Sequence, residues 1–336
     1  MSKTYTIAIP MAGLGTRMRP HTHSKPKPLI PVAGRTVLDY ALAQFTSLPR
    51  FHEARFVFIH SPGQREQVEA HMAANHSCIA VDYVLQAVMK GQSDALYLAR
   101  ELLHGPMLMA FSDTLIETDL GFLDGYTGDG IAWVKPVPDP TRFGVAQVDG
   151  SGHILRLIEK PKTKENNLAL VGFYFFKEGQ ALMRAIEEQV RRGTALNHEY
   201  FLADAVNVMI EQGARFEARQ TEVWLDAGKT DALLETNRAL LAKCDNSILW
   251  KETAGVAIIS PVWLDPSVTL ENAVIGPYVS AGAGAVLRGC VVSDSILDAG
   301  AQVENAVLSG ALLGKRARLS GQPKSANLGD DASAAL

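Results

Sequence analysis

The sequence predicts a doubly wound α/β domain with a mixed sheet, followed by a small domain of stacked short strands. Three observations predict it. Up to about residue 111, apolar strand-like runs alternate three times with segments of helical spacing, the pattern of a largely parallel sheet with helices on both faces. Between residues 130 and 176 strand-like runs dominate and hairpin punctuation appears. From about Pro261 the composition shifts to Ala, Gly, Val and Ser, with small-residue steps at regular intervals.

Each element has its own signal. Residues 5–12 form an apolar run with the composition of a buried strand. Val37, Leu38, Ala41, Leu42 and Phe45 recur at helical spacing. Residues 55–60 read as a buried strand, 64–74 as a helix and 81–86 as the next strand. Ala95, Leu96, Ala99, Leu102 and Leu103 mark another helix, with Ser93 or Asp94 placed to cap it. Residues 107–111 are again strand-like. Ligands of such sheets bind beyond the carboxyl ends of the strands. That rule puts residues 13–17, Gln86 and Asp113 on one rim.

Four strands are predicted over residues 130–136, 144–148, 154–158 and 168–176, with Asp149-Gly150 and Ser151-Gly152 punctuating a hairpin. Helices follow near 179–191 and 199–211, the second ending at Gly213. A strand over 215–224 and a helix over 230–242 complete a Rossmann-like domain assigned to residues 1–245.

Beyond a pattern change near residues 244–253, Ile275, Ala281 and Leu287 lie six apart, and Ala299 continues that register across Ser293, which breaks it. Ile275-Gly276, Ala281-Gly282 and Ala299-Gly300 repeat a small-residue step. This resembles the hexapeptide repeat of left-handed parallel β-helices, whose triangular coils turn every sixth side chain inward. About fifty residues would make about three coils. The β-helix is assigned to residues 246–322, and the polar tail 323–336 is expected to be disordered. Coil ends and flat sides carrying Val, Leu and Ile predict a homo-oligomer formed through this domain.

The most informative stretch runs from Ile9 to Val32. Gly13-Leu14-Gly15 and Thr16-Arg17 follow the first strand, and Arg19, Lys25 and Lys27 come soon after. Glycine admits positive φ and lets a phosphate approach without a Cβ in the way, and successive backbone N–H groups on such a turn form an anion nest. A glycine turn with four cations inside fifteen residues suits a polyphosphate. The dinucleotide fingerprint would need a third glycine at position 18, where Met18 stands. A P-loop would need Gly-Lys-Ser/Thr after the turn, and that triplet does not follow here.

In order and spacing these residues resemble the signature of the sugar-1-phosphate nucleotidyltransferases, also called nucleoside-diphosphate-sugar pyrophosphorylases. The matching residues are Gly13-Leu14-Gly15-Thr16-Arg17, Pro20 and Lys27-Pro28-Leu29-Ile30-Pro31-Val32. Ala12 stands where many thymidylyl-type members have glycine, and the run from Pro10 to Gly15 is closer to uridylyl-type members. The resemblance implies transfer of a nucleotidyl group from an NTP to a sugar 1-phosphate, giving an NDP-sugar and pyrophosphate, with glucose 1-phosphate and dTTP or UTP as the favoured pair.

It also implies roles. Ala12, Gly13, Leu14, Gly15 and Thr16 would hold the nucleotide's phosphates, and Arg17 would stabilise the leaving pyrophosphate. Lys27 would bridge the attacking phosphate and the α-phosphate. Asp113 matches a family carboxylate, although Ser112-Asp113 stands where the family has Gly-Asp. Asp226, in Trp224-Leu225-Asp226-Ala227-Gly228, matches a second, and the two would hold Mg²⁺. Gln86 and Gly91 correspond to the base-binding residues. Gly144, Glu159, Lys160, Val171 and Gly172 correspond to the sugar-phosphate site, with Glu159 accepting from hydroxyls and Lys160 pairing with phosphate.

Composition narrows the alternatives. A net charge of −4 argues against a general binder of nucleic acid or membrane surface. Cys78, Cys244 and Cys290 have no paired spacing, which fits a reducing cytoplasm. A mannose-1-phosphate guanylyltransferase would share nearly every motif. An acyltransferase β-helix commonly uses a histidine base, and the last histidine here is His198. A non-catalytic regulatory or assembly subunit that binds nucleotide-sugar is opposed by the full set Arg17, Lys27, Asp113, Lys160 and Asp226.

Overall fold

The computed structural model of the chain describes residues 4–195, 198–250 and 253–321, and the tail expected at 323–336 lies outside them. It divides into two compact units: Met1–Ile30 with Val37–Gly228, and Pro31–Thr36 with Lys229–Leu336.

The first unit is built on β1 (Thr6–Pro10), whose Ile7, Ala8 and Ile9 are fully buried. The second unit takes the short hairpin β2 (Pro31–Val32) and β3 (Arg35–Thr36). The first resumes with α1 (Val37–Ala43), β4 (Arg55–His60), α2 (Arg65–Asn75), β5 (Ala80–Leu85), α3 (Gln92–Leu98), β6 (Met107–Ala110) and β7 (Thr114–Ile116). It continues with β8 (Gly130–Pro136), β9 (Gly144–Val148), β10 (Ile154–Glu159), β11 (Leu168–Phe176), α4 (Gly179–Arg191), α5 (Leu202–Glu211), β12 (Phe216–Gln220) and β13 (Trp224–Asp226). Nine strands form one sheet in the order β10-β9-β11-β6-β1-β4-β5, with β8 also on β11 and β12 on β8.

β1 runs parallel to β4 and β6, and β4 parallel to β5, whereas β11 is antiparallel to β6. The sheet is therefore mixed, as its strand-rich middle predicts. Its two faces carry separate cores. Leu96 of α3, Ile186 of α4 and Val206 of α5 pack on one face. Leu38 of α1 with Val68 and Met72 of α2 pack on the other. Two local expectations give way. Ser93 and Asp94 do not cap α3: the cap position is Gly91 at φ 98°, and both lie inside the first turn. The run 215–224 is not one strand, because Thr221 donates to the carbonyls of Glu117 and Val223, and β13 leaves the sheet to pair with β7.

After its hairpin, the second unit resumes with α6 (Thr230–Cys244). The division thus falls ahead of this helix rather than at the compositional change near residue 245. The reason is Asn237, fully buried on α6, whose Oδ1 accepts from Ala33 N of the hairpin at 2.9 Å and from Ser280 Oγ at 2.9 Å.

Four turns of short strands follow: β14 (Val256–Ile258), β15 (Val262–Leu264) and β16 (Thr269–Glu271); β17 (Ala273–Ile275), β18 (Val279–Ala281) and β19 (Val286–Arg288); β20 (Val291–Ser293), β21 (Ser295–Leu297) and β22 (Gln302–Glu304); β23 (Val307–Ser309), β24 (Leu312–Leu313) and β25 (Arg318–Ser320). They make three parallel four-stranded sheets, so the unit has four layers rather than three, and it resembles a left-handed β-helix.

Its inward positions are Ile275, Ala281, Leu287, Val292, Leu297 and Val303, all buried. The six-residue step therefore shortens to five at Val292 and Leu297. Ala299, expected inward, lies in a turn, where its N–H donates to Asp298 Oδ1 at 2.7 Å. Ser293 does not interrupt the core, since its hydroxyl lies on the Ser309 hydroxyl in the next layer at 3.1 Å.

Candidate active site

The parallel strands β1, β4, β5 and β6 open their carboxyl ends on one rim of the sheet. The loop after β1 turns at Gly15, which takes φ 60° just before a single 3-10 turn at Thr16–Met18. Burying Met18 under this turn leaves Thr16, Arg17 and Arg19 exposed. The Thr22 hydroxyl donates to Gly15 O at 2.8 Å, and a Cβ on Gly15 would lie 2.9 Å from the Thr22 methyl. Space around Gly13 is open. Among the described residues, no acceptor meets the backbone N–H groups of Ala12, Gly13, Leu14, Gly15, Thr16 or Arg17. Successive N–H groups without a protein acceptor suit an anion cradle.

Lys27 starts a second short 3-10 turn, Lys27–Leu29, that buries Pro28. Its ammonium contacts the Asp113 carboxylate directly, and the two side chains are only 12% and 25% exposed. Asp113 sits between β6 and β7. Because β13 pairs antiparallel with β7, Asp226 is in register with Thr114, and Ala227 N donates to Asp113 O at 2.9 Å. The backbone of Gly228 closes the group by donating to Asp226 Oδ1 at 2.6 Å. A Cβ on Gly228 would lie 2.7 Å from Asp226 Oδ1, 3.1 Å from Asp113 Oδ2 and 3.3 Å from Lys27 Nζ. Three charged groups from distant parts of the chain thus converge on one point that only glycine leaves clear.

Two carboxylate oxygens on one point suit a hard divalent cation, which takes one or two protein carboxylates and completes its shell with water and phosphate oxygen. Asp113 and Asp226 are the residues that fit it.

Gln86 directly follows β5 and is buried. Its Nε2 donates to Gly91 O at 3.2 Å and to Asp94 Oδ2 at 2.9 Å. Both amide protons are thereby engaged, and Oε1 is left as the acceptor. Gly91 has a second reason to be glycine: a Cβ there would lie 2.5 Å from the backbone oxygen of Tyr200.

Of the other predicted cluster, Gly144 and Lys160 lie beside Glu159 at the end of β10, while Gly172 lies against Phe111. Gly144 faces Glu159 across the hairpin, and a Cβ there would lie 2.9 Å from Glu159 Oε2. Burial pushes the Glu159 carboxyl above its ordinary range, partly offset by the Lys160 charge. Lys160 takes φ 46°, its N–H donates to Phe143 O at 3.0 Å, and its ammonium lies 5.4 Å from the centre of the Phe201 ring. The Phe143 ring packs edge-on against Trp224, 5.1 Å between centres, which ties this loop to the strand carrying Asp226. Val171 is buried, and Gly172, at φ 83°, admits the Phe111 ring, whose Cδ2 would lie 2.2 Å from a glycine Cβ.

Sequence reading missed Gly228, Thr22, Asp94 and Trp224. Gly228 and Trp224 stood in a recognised motif without a role. Thr22 and Asp94 act through contacts that no spacing announces. A cleft of about 200 Å³, lined by Thr22, His23, Lys25, Lys27, Gln64 and Gln67 among others, borders the same loop. No helix among the described residues is long and apolar enough to cross a membrane.

A family model described as nucleotidyl transferase matches residues 8–243. The chain is 30% identical over 343 residues to the low-salt glycan biosynthesis nucleotidyltransferase Agl11 of Haloferax volcanii, covering 91% of each chain. It is 28% identical over 344 residues to a glucose-1-phosphate thymidylyltransferase of Streptomyces griseus, covering 93% of this chain and 92% of the relative. Among solved structures, UDP-glucose pyrophosphorylase complexed with UDP-glucose matches the fold with a TM-score of 0.59 at 21% identity, covering 72% of this chain and 100% of that one.

Proposed function

The chain belongs to the nucleotidyl transferase family, and on that premise we propose that it transfers a nucleotidyl group from a nucleoside triphosphate to a sugar 1-phosphate and releases pyrophosphate. The observation that carries this reading is the convergence of Lys27, Asp113 and Asp226 on Gly228, beyond the same sheet whose first loop forms an anion cradle. In such a reaction the phosphate oxygen of the sugar attacks the α-phosphorus in line, and catalysis is mainly positioning and charge neutralisation.

The backbone N–H groups of Ala12, Gly13, Leu14, Gly15 and Thr16 grip the triphosphate. Arg17, exposed at the end of that turn, takes the charge that develops on the leaving pyrophosphate. Lys27 holds the attacking phosphate against the α-phosphate. Lys27 and Asp113 neutralise each other in the chain itself, and a phosphate for one with a cation for the other gives both a partner of full opposite charge. A divalent cation, which we take to be Mg²⁺, supplies Lewis-acid neutralisation of phosphate charge when bound by Asp113 and Asp226. Glu159 accepts from sugar hydroxyls, Lys160 pairs with the sugar's phosphate, and Gly144, Val171 and Gly172 shape the floor of that pocket.

Gln86 supports a base with a ring N–H. With both amide protons engaged, its Oε1 suits N3–H of thymine or uracil and equally N1–H of guanine, whereas cytosine and adenine offer no such proton. Together with the glucose-1-phosphate thymidylyltransferase relative, this favours dTTP or UTP with glucose 1-phosphate. We also take the protein to be cytoplasmic, with Cys78, Cys244 and Cys290 outside any disulfide. Self-association would use the β-helix, where Val291 and Val307 stand in one ladder 42% and 79% exposed. A single monomeric species of the whole chain in light scattering would refute that.

The test of the function is pyrophosphate release by the purified chain with Mg²⁺, crossing dTTP, UTP, GTP, CTP and ATP with glucose, galactose, mannose and N-acetylglucosamine 1-phosphates. One strongly active cell identifies the pair; activity confined to GTP with mannose 1-phosphate would favour the guanylyl alternative. A blank grid with nucleotide still bound would favour a regulatory subunit.

A further inference from the structure

Away from this site, α1 and α2 carry a side-chain cluster that nucleotidyl transfer does not use. Asp39 lies in the first turn of α1. His71 lies in the last half of α2, and His76 is its C-terminal cap, whose N–H donates to Met72 O at 2.8 Å. Helical spacing alone would not pair residues five apart, but the change of backbone direction at the cap swings the second imidazole back beside the first. The ring centres are 5.9 Å apart. Both Nε2 atoms lie 2.7 Å from the same oxygen, Asp39 Oδ1. The three donor atoms are all within 4.8 Å of one another, and their side chains are 13–23% exposed.

We propose that Asp39, His71 and His76 form a binding site for a divalent transition metal of the Zn²⁺ class, with water as the fourth ligand. Two imidazoles and one carboxylate are a tetrahedral donor set. Bond lengths of about 2.0–2.2 Å put the donors of such a site about 3.4 Å apart, which small side-chain rotations reach from the observed spacing. The nitrogen donors select against Mg²⁺ and Ca²⁺, which prefer oxygen. Partial exposure gives the ion a way in.

In the metal-free cluster each imidazole carries its proton on Nε2 to reach Asp39. Binding of neutral imidazoles moves that proton to Nδ1 and frees both Nε2 lone pairs. Asn75 Nδ2, held by the His71 carbonyl at 3.0 Å, lies 3.3 Å from His71 Nδ1 and marks that atom as the acceptor in the metal-free cluster, so the proton that arrives at Nδ1 displaces this contact toward water.

The site is separate from the active centre. His71 lies four residues beyond Gln67, the last residue of α2 that lines the cleft beside the active loop, so it is about 6 Å further along the helix. The ion would pin the far end of α2 to α1, and both helices cover the same face of the sheet.

The experiment is Zn²⁺ competition against a chromophoric chelator, on the untagged full-length chain in excess Mg²⁺, with Co²⁺ absorption reporting geometry and thermal unfolding reporting stability. We expect one Zn²⁺ per chain, tetrahedral Co²⁺ bands and a Zn²⁺-dependent rise in Tm. His76→Ala and Asp39→Asn should each weaken binding about 100-fold or more and abolish the rise. His71→Gln, which keeps a hydrogen-bond donor toward Asp39, should do the same in a folded chain. Absence of stoichiometric binding would overturn the proposal, as would binding unchanged in these variants. Loss of binding in Asp226→Asn would move the ion to the active centre, and loss in Cys78→Ser would move it to the exposed thiol two residues beyond His76; either result overturns the assignment.

Discussion

The two units bring side chains together over very different distances along the chain. In the β-helix every strand pairs with one 16 or 17 residues away, as Val279 does with Val262 and Ser295. In the catalytic unit Lys27 meets Asp113 across 86 residues, and Asp226 joins them from further still. A repeat spreads its stability over many equivalent stacking contacts, so each residue matters through packing with its neighbours. The active centre concentrates its work in a few charged atoms whose positions the whole sheet sets. Substitutions in one unit should therefore change chemistry with little loss of fold, and in the other the reverse.

The sharpest break of this contrast would come from Lys27→Ala and Asp113→Ala. Each removes one charge from the convergent group, and we expect kcat to fall about 10³-fold in steady-state pyrophosphate assays, with a modest fall in Tm from the partner charge left unpaired. Near-normal turnover in either variant would remove these residues from the mechanism.

One substitution made in both units tests the contrast directly. In Gly228→Ala the new methyl would sit 2.7 Å from Asp226 Oδ1 and 3.3 Å from Lys27 Nζ. Displacing these groups by a fraction of an ångström should cost about 10²-fold in kcat. In Gly276→Ala, at φ +105°, the methyl would sit 1.8 Å from the carbonyl oxygen of Ile259 in the neighbouring coil. No side chain can yield there, so the loss should be about 3 kcal/mol of stability in the second unit, read by denaturant unfolding. If Gly228→Ala lowers stability while sparing kcat, the contrast fails.

How legible each unit was in the sequence follows from the same difference. The alternation of strands and helices placed Gly13, Gln86 and Asp113 on one rim, because parallel strands share a carboxyl edge whatever their order. The break at Thr221 was not legible: it depends on hydrogen bonds to Glu117 and Val223, and it is what carries Asp226 out of the sheet to β7. The engagement of Gln86 by Asp94 was hidden because an acidic residue early in a helix looks the same whether it caps the helix or holds a neighbour's amide. In the β-helix the presence of the repeat was plain, but its register was not. A strict step of six cannot see that Val292 and Leu297 turn inward one and two residues early, since the corners absorb a variable number of residues.

That register is testable by a pair of substitutions. Leu297→Ala empties an inward position that is 1% exposed and should cost about 3 kcal/mol. Ala299→Ser, in the adjoining turn, should change stability by less than about 0.5 kcal/mol. Equal losses in the two variants would restore the six-residue register.

The smallest effect concerns Glu159, where chemistry and fold pull in opposite directions. Burial raises its pKa, so the folded chain binds its proton more tightly than the unfolded one. Its ionised form is the one the fold disfavours: stability on its account is fullest at low pH and declines as pH rises from the ordinary carboxylate range through the raised value. Sugar binding needs the opposite state, because only the carboxylate offers both oxygens as acceptors. KM for the sugar 1-phosphate should therefore rise several-fold as pH falls toward the raised pKa, while KM for the nucleotide stays flat. Glu159→Gln should raise the sugar KM and remove the Glu159 part of its pH dependence, leaving that of the substrate phosphate, and flatten the stability profile over the same range. The sugar phosphate itself titrates at about pH 6, so the comparison is between profiles: a sugar KM profile identical in shape in Glu159→Gln and the parent chain would assign the whole titration to other groups and take Glu159 out of sugar recognition.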